Sequence, residues 1–462
     1  MSKQHMVEHP SAGERRVKGR EARNLVPRAS HGEWVPSPER RDPVELLIEQ
    51  NARREPDLVP VRHGRMMVSP FTFYRGAARV MAADLGPTPR SGLTAQICGD
   101  AHLSNFGLFA SPERDLIFDL NDFDETLPGA WEWDVKRMAA SFTIAGRHRG
   151  FTGKEITAAT TTSVKTYREA MLNFAGMRTM EVWYSHLSAA DLLGELKGEV
   201  RKGAEKVMQK ARMKDSLQAL SKLAVEVDGD FRIASAPPIV VPLRDMPPEV
   251  VPEGIEDVLR EQFRSYRATL QADRRLLLEK FKFVDIARKV VGVGSVGTRG
   301  FIVLLEGRDR DDPLFLQVKE ATDSVLEEFL PKSRYRNHGE RVVHGQRAMQ
   351  AASDIFLGWT KGADTSRHFY WRQLRDMKGS IDTELIKPPG LLAYARACGW
   401  TLARAHARTG DSIAIGAYMG KRDEFDRAIV EFSARYADQN ELDHAAFLEA
   451  VKSGRIEAIE GV

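Results

Sequence analysis

Apolar positions along the chain keep helical spacing for long stretches, break at a proline-rich segment, alternate in short runs, and then resume helical spacing. Residues 1–42 mix Arg, Glu, Gly, Ser and Pro without a sustained apolar period, so a flexible N-terminal tail is expected there. Val44, Leu46, Leu47 and Ile48 open the first helix, and Ala77, Val80, Met81 and Leu85 share one face of another. Thr94 to Ile97 predicts a short strand. Residues 131–146 and 153–222 carry recurring Leu, Met and Ala between charged faces, which predicts helix almost throughout. Pro237, Pro238, Pro242, Pro247, Pro248 and Pro252 crowd the segment 234–252. Proline locks φ and offers no N–H, so an extended connector and an internal boundary are expected there, followed by a long charged helix over 255–282.

Beyond Val284 the texture becomes that of strands. Ala287–Val293, Phe301–Glu306, Leu314–Val318 and Phe369–Leu374 are short β-branched or aromatic runs, with a helical stretch over 339–353 between them. Helix returns over 389–406, where Leu391, Ala395, Cys398, Leu402 and Ala405 step by four and three, and continues to about Val451. The expected class is α+β: a helical lobe over 43–282, a small antiparallel β-rich lobe over 283–380, and helices over 381–462 completing the first lobe.

Composition narrows the function classes. With 42% apolar and 29% charged residues, and no apolar run near the ~18 residues of a membrane span, a bilayer role is excluded. The start lacks the apolar region of a secretory signal, so a cytoplasmic location is expected. Cys98 and Cys398 give neither a disulfide framework nor a cysteine zinc cluster. A balance of 68 basic against 65 acidic residues argues against nucleic acid as the partner.

The chemistry-bearing stretch is Cys98-Gly99-Asp100-Ala101-His102-Leu103-Ser104-Asn105, followed by Asn121-Asp122-Phe123-Asp124. An Asp, an Asn five residues on and a later acidic pair have phosphotransferase spacing. Asp100 would accept or orient the proton of an attacking hydroxyl, while Asn105 and Asp122 would hold magnesium, with Asp124 as helper and Asp119 as the competing carboxylate. Gly292-Val293-Gly294-Ser295-Val296-Gly297 is followed by the strand-like Phe301 to Leu305, whereas a dinucleotide fingerprint opens a helix. The glycines therefore sit in a hairpin, where Gly292, Gly294, Ser295 and Gly297 could present free N–H groups to the phosphates of ATP. Lys319 ends the next strand and is the candidate cation for those phosphates; Glu340 is the first candidate to hold it, with Glu327 and Glu328 behind.

Gly-Asp-x-His-x-x-Asn, then Asp-Phe-Asp, then Trp-Asp-Val-Lys-Arg resembles the catalytic end of aminoglycoside- and choline-kinase-like phosphotransferases, but in reversed order relative to the glycine hairpin. The chain thus resembles a circular permutation of that protein-kinase-like two-lobe fold, with Leu402-Ala403-Arg404-Ala405-His406-Ala407 similar to the helix that normally runs into the catalytic loop. It also resembles a bacterial family labelled domain of unknown function 2252. The resemblance implies an ATP- and magnesium-dependent phosphotransferase with a nucleotide and a small-molecule hydroxyl acceptor as partners. It departs in having Cys98 where such enzymes carry His. Asp134 resembles the acidic residue that hydrogen-bonds the catalytic-loop backbone, and it can equally be a simple helix-start carboxylate. His102 is expected to brace the loop, Trp131 and Trp133 to belong to the core, and the stretches Tyr74-Arg75-Gly76 and 372–375 either to contact substrate or adenine or to pack. Adenylyl transfer by the same site, a metal-dependent phosphoesterase and a non-catalytic nucleotide-binding module are the alternatives.

Overall fold

The computed structural model describes residues 9–247, 255–290, 292–374 and 376–461, so Pro248 and Pro252 of the connector, Val291 and Arg375 lie outside the described residues. The chain is α+β, a large helical assembly joined to small antiparallel sheets. At its centre lies the helix Trp131–His148, buried from Trp131 through Gly146. Around it pack Gly153–Phe174, Pro388–Thr409 and Glu424–Lys452. Thr152 and Glu155 form a reciprocal cap that starts the second of these helices. Gly399 lets the Pro388–Thr409 helix approach it closely, because a Cβ there would collide with the carbonyl oxygen of Ser163.

Two helix expectations are corrected. Residues 153–222 break into five helices with the short strand Leu187–Ser188 among them. The predicted 255–282 helix is two, Ile255–Ala268 and Ala272–Leu278, and Lys282 already begins a strand. The tail also departs from its composition. Ala12–Leu25 is a helix capped by Ser11 and Glu14, and it packs against Ser412–Met419. Arg23 and Arg28 donate to the carbonyls of Tyr418 and Met419 at that helix's C-terminal end. Its docking face is Gly19 and Ala22, so no apolar periodicity announced it.

The main sheet has six antiparallel strands in the order Gly358–Lys361, His368–Gln373, Pro313–Ala321, Gly300–Glu306, Lys282–Lys289, Val240–Pro242. Both faces are covered. Val303, Leu305, Leu316 and Val318 pack with Tyr266, Leu270 and Leu278. Ile302, Leu304 and Phe315 pack with Ala219, Leu220, Leu223 and Ile233. Alternation along a strand thus serves two cores at once. Packing around this sheet accordingly begins well before residue 283, and Val240–Pro242, inside the proline-rich connector, is its edge strand, the position proline tolerates. Smaller ladders escaped the sequence reading: Phe106–Ala110 pairs with Leu116–Leu120, and Thr94–Ile97 with Leu127–Ala130. These ladders carry the loops that line the site.

Candidate functional site

The loop 98–105 leaves the strand Thr94–Ile97 through Gly99, whose φ of +81° is left-handed and whose Cβ would stand 2.6 Å from the carbonyl oxygen of Glu125. Asp134, in the first turn of Trp131–His148, accepts the backbone N–H groups of Cys98 at 2.8 Å and Gly99 at 2.9 Å. His406 stands 3.2 Å from the same carboxylate and is itself held by the Tyr167 hydroxyl at 2.8 Å. Asp134 is therefore the loop's suspension point, which decides between its two readings. Cys98 does not replace a positioning histidine; burial pushes its thiol well up and keeps it a neutral packing group.

Asp100 accepts from Arg137 Nε at 2.8 Å, and His102 Nε2 lies 3.7 Å from its other oxygen. Burial raises the Asp100 pKa against the pull of Arg137 and Arg75. Burial and the same two arginines hold His102 well below its ordinary value, so it is neutral beside Asp100, as a brace requires. Asn105 donates to the Asp100 carbonyl at 2.8 Å, which turns its amide relative to the loop.

Beyond the strand Leu116–Leu120 the chain turns through Asp122 and Asp124. Asp122 accepts only the Asp124 N–H, at 3.1 Å, among the described residues, and burial with the adjacent Asp124 charge raises its pKa. Asp124 receives Lys319 Nζ at 2.6 Å, the Tyr370 hydroxyl at 2.7 Å and the Ser295 hydroxyl at 3.3 Å. Burial works against its ionisation, but Lys319 outweighs it and holds the carboxyl below its usual range. Lys319 is buried on its strand and its pKa is raised, because Asp124, Tyr370 and Asp122 overcome the desolvation penalty.

Glu340 is not its partner. That residue sits in the first turn of His338–Met349, its N–H capped by Asn337 at 3.1 Å and its carboxylate 3.8 Å from His344. Glu328 is taken by Arg79. Lys319 is bonded instead to Asp124. Asp119 is likewise removed: it is 1% exposed, ion-paired with Arg404 and bonded by the Ala351 N–H at 2.8 Å. Trp131 and Trp133 are in the core. Arg372 reaches the Asn121 carbonyl at 3.2 Å, supporting the acidic turn from behind.

One cavity of about 290 Å³ gathers Asp100, Asn105, Asp122 and Asp124 with Gly292, Gly294 and Ser295. Gly297 lies behind this wall, with its carbonyl accepting the Glu55 N–H at 2.7 Å. Arg54 donates to the Val296 carbonyl and Arg65 to that of Gly292, so the segment 54–65 ties the glycine turn from outside. Gly292 and Gly297 both take left-handed φ, +71° and +86°, as a reversal between strands needs. Sequence reading missed Tyr370, Arg54 and Glu125. The last is buried enough that its pKa rises to about 7 despite the Arg341 charge and the Val325 N–H. No spacing signal marks these three; they reach the site from separate elements. Among the described residues, no three His, Cys, Asp or Glu side chains are grouped to hold a metal ion.

Residues 54–450 match the family described as an uncharacterized protein conserved in bacteria, DUF2252. The chain belongs to the DUF2252 family. No curated protein and no solved structure matches it. The DUF2252 region begins at Arg54 and so takes in the tether on the glycine turn as well as every residue of the cavity named above from 54 onward. No helix among the described residues is long and apolar enough to cross a membrane.

Proposed function

We infer that the protein is a kinase-like phosphotransferase of circularly permuted order, acting with ATP and magnesium on a hydroxyl acceptor of small size. What carries the reading is that carboxylates of the 100–124 stretch and the glycine turn of residues 292–295, from opposite halves of the chain, line one cavity, with Lys319 buried behind that lining and bonded to its Asp124. Asp122 and Asn105 fit magnesium. This ion needs only one or two protein carboxylates when phosphate oxygens and water complete its shell, and the Asp122 carboxylate accepts only the Asp124 N–H among the described residues. Held by Asp122 and Asn105, the ion would supply positive charge to the phosphoryl group being transferred.

The protein's own groups take three parts. Asp100, oriented by Arg137, accepts the acceptor's hydroxyl proton as its oxygen bonds to the terminal phosphorus and the bond from that phosphorus to the bridging oxygen breaks, releasing ADP. Lys319 neutralises inner phosphate oxygens, and the backbone N–H groups of the glycine turn complete the cradle. Positioning and charge supply most of the rate. Adenylyl transfer would use the same groups with the nucleotide reversed. A cytoplasmic site of action agrees with this nucleotide use and with two buried free cysteines.

The test is a magnesium-dependent ATP thermal-shift and turnover assay on wild type, Lys319→Ala and Asp122→Ala, with mass spectrometry of product and protein. Wild type is expected to be stabilised by magnesium–ATP, with the shift reduced in both variants and turnover down by roughly 100-fold or more. Equal shifts in all three proteins would remove the site assignment, and an added mass of AMP rather than phosphate would select adenylyl transfer.

A further inference from the structure

The cavity holds more positive charge than a nucleotide cradle of Lys319 and backbone N–H groups supplies. Arg53, Arg54, Arg75 and Arg79 all reach it from the helical segment that precedes the catalytic loop. Two of them are already engaged. Arg53 pairs with Asp323, and Arg79 divides its donors among Glu49, Glu328 and the Leu46 carbonyl. The other two keep donors in reserve, although the charges of Glu125, Asp124 and Glu320 act on Arg54. Arg75, in the last turn of Pro70–Gly76, makes no side-chain hydrogen bond or ion pair among the described residues; its Nε is buried without a partner, and the nearest charge acting on it is that of Asp100. Arg54 gives one terminal nitrogen to the Val296 carbonyl, while its Nε is buried without a partner.

Two guanidinium groups with unspent donors beside one cavity are costly to bury unless an anion meets them, because each donor leaves water without replacement. Planar N–H forks suit oxyanions, which they bind through paired charge-assisted hydrogen bonds. Burial lowers both guanidinium pKa values, and that of Arg54, at about 10, still leaves it cationic at neutral pH. Arg75 shares the cavity lining with Asp100, whose charge acts on it while that of Asp122 does not. An anion on Arg75 would therefore sit on the acceptor's side of the cavity, next to the group that takes the hydroxyl proton.

Resting on the phosphotransferase reading, we propose that the acceptor carries an oxyanion, phosphate or carboxylate, that Arg75 receives with Arg54, placing the acceptor hydroxyl at Asp100. The substrate class is then a hydroxylated anion, not a neutral alcohol or an amino sugar. Arg75 and Arg54 act as positioning residues.

Calorimetric titration with inorganic phosphate and with acetate, in the absence of nucleotide and magnesium, tests the site on the full chain. Wild type is expected to bind at least one of the two ions at millimolar concentration, and whichever binds names the oxyanion. Arg75→Gln should weaken that binding at least about tenfold, Arg75→Lys less, and Asp122→Asn not at all. The magnesium–ATP thermal shift should respond in the opposite way, lost in Asp122→Asn and kept in Arg75→Gln. Absence of binding by wild type, or equal binding by wild type and Arg75→Gln, overturns the proposal; so does a magnesium–ATP shift that falls with Arg75→Gln, which would assign the guanidinium to the nucleotide's own phosphates. Arg75-dependent phosphate or acetate binding in a protein that ignores magnesium–ATP would instead fail the phosphotransferase reading and leave the anion site standing. Arg75→Lys keeps the cation, so a loss seen only in a misfolded Gln variant is recognised.

Discussion

Asp134 determines the shape of the loop that carries Asp100, because two backbone N–H groups with no other acceptor converge on its buried carboxylate. Its spacing was readable in Trp-Asp-Val-Lys-Arg, yet sequence left it between a cap and a strut; only the distances separate the two. Glu125 is the opposite case, silent in sequence and strongly perturbed in place. Burial lifts its folded pKa to about 7 from the ordinary glutamate value of 4.5, so the folded protein holds a proton there that the unfolded chain releases. Between those two pH values the native state binds the extra proton, and stability falls as pH rises through the window. Glu125→Gln is expected to flatten that fall by roughly 2 kcal/mol, the full linkage value being reduced by water in the cavity. Urea unfolding at pH 5 and pH 8 measures it. A slope unchanged by the substitution would mean that the carboxyl ionises freely in the folded protein.

Elements followed local pattern where composition alone singles them out and departed from it where tertiary contact decides. The strands over Phe301–Glu306 and Leu314–Val318 were legible because β-branched and aromatic runs have no competing helical period. Phe106–Ala110 and Leu116–Leu120 were not legible. Each is five residues long, and Gly107 in the one and Asp119 in the other interrupt the apolar run. The helix Ala12–Leu25 was hidden for another reason: its buried contacts are small residues and arginine-to-carbonyl bonds. This gives a prediction of unusual sign. Gly→Ala inside an exposed helix stabilises by up to ~1 kcal/mol. At Gly19 a methyl group would run into the carbonyl of Ala414, so Gly19→Ala is expected to destabilise by about 1–2 kcal/mol and to raise amide exchange across 12–32. A stabilised variant would show that the helix does not dock where it is placed.

Over the whole molecule, the glycine turn is fastened to the segment before the 98–105 loop as well as to its own sheet, through Arg54, Glu55 and Arg65. Closing the cavity on a ligand must therefore move the segment 54–65 together with 292–297. Magnesium–ATP is expected to protect the backbone amides of both segments from hydrogen exchange in parallel, by severalfold, and Lys319→Ala to reduce the protection of both. Protection of the glycine turn alone would show that the tether is passive.

What the amino-acid order determined by itself was local: helical and strand periods, the turn at Gly99, the carboxylate and amide types at 100–124, and a glycine hairpin in place of a dinucleotide helix start. These are legible because steric limits on φ and ψ and the burial of one face act within a few residues. What the tertiary structure alone decided was partnership: Lys319 with Asp124 and not Glu340, Asp119 with Arg404 and not with the cavity, Arg75 beside Asp100. Charge pairing acts through space between segments whose separation along the chain carries no trace of their proximity, and burial then sets which carboxyls ionise.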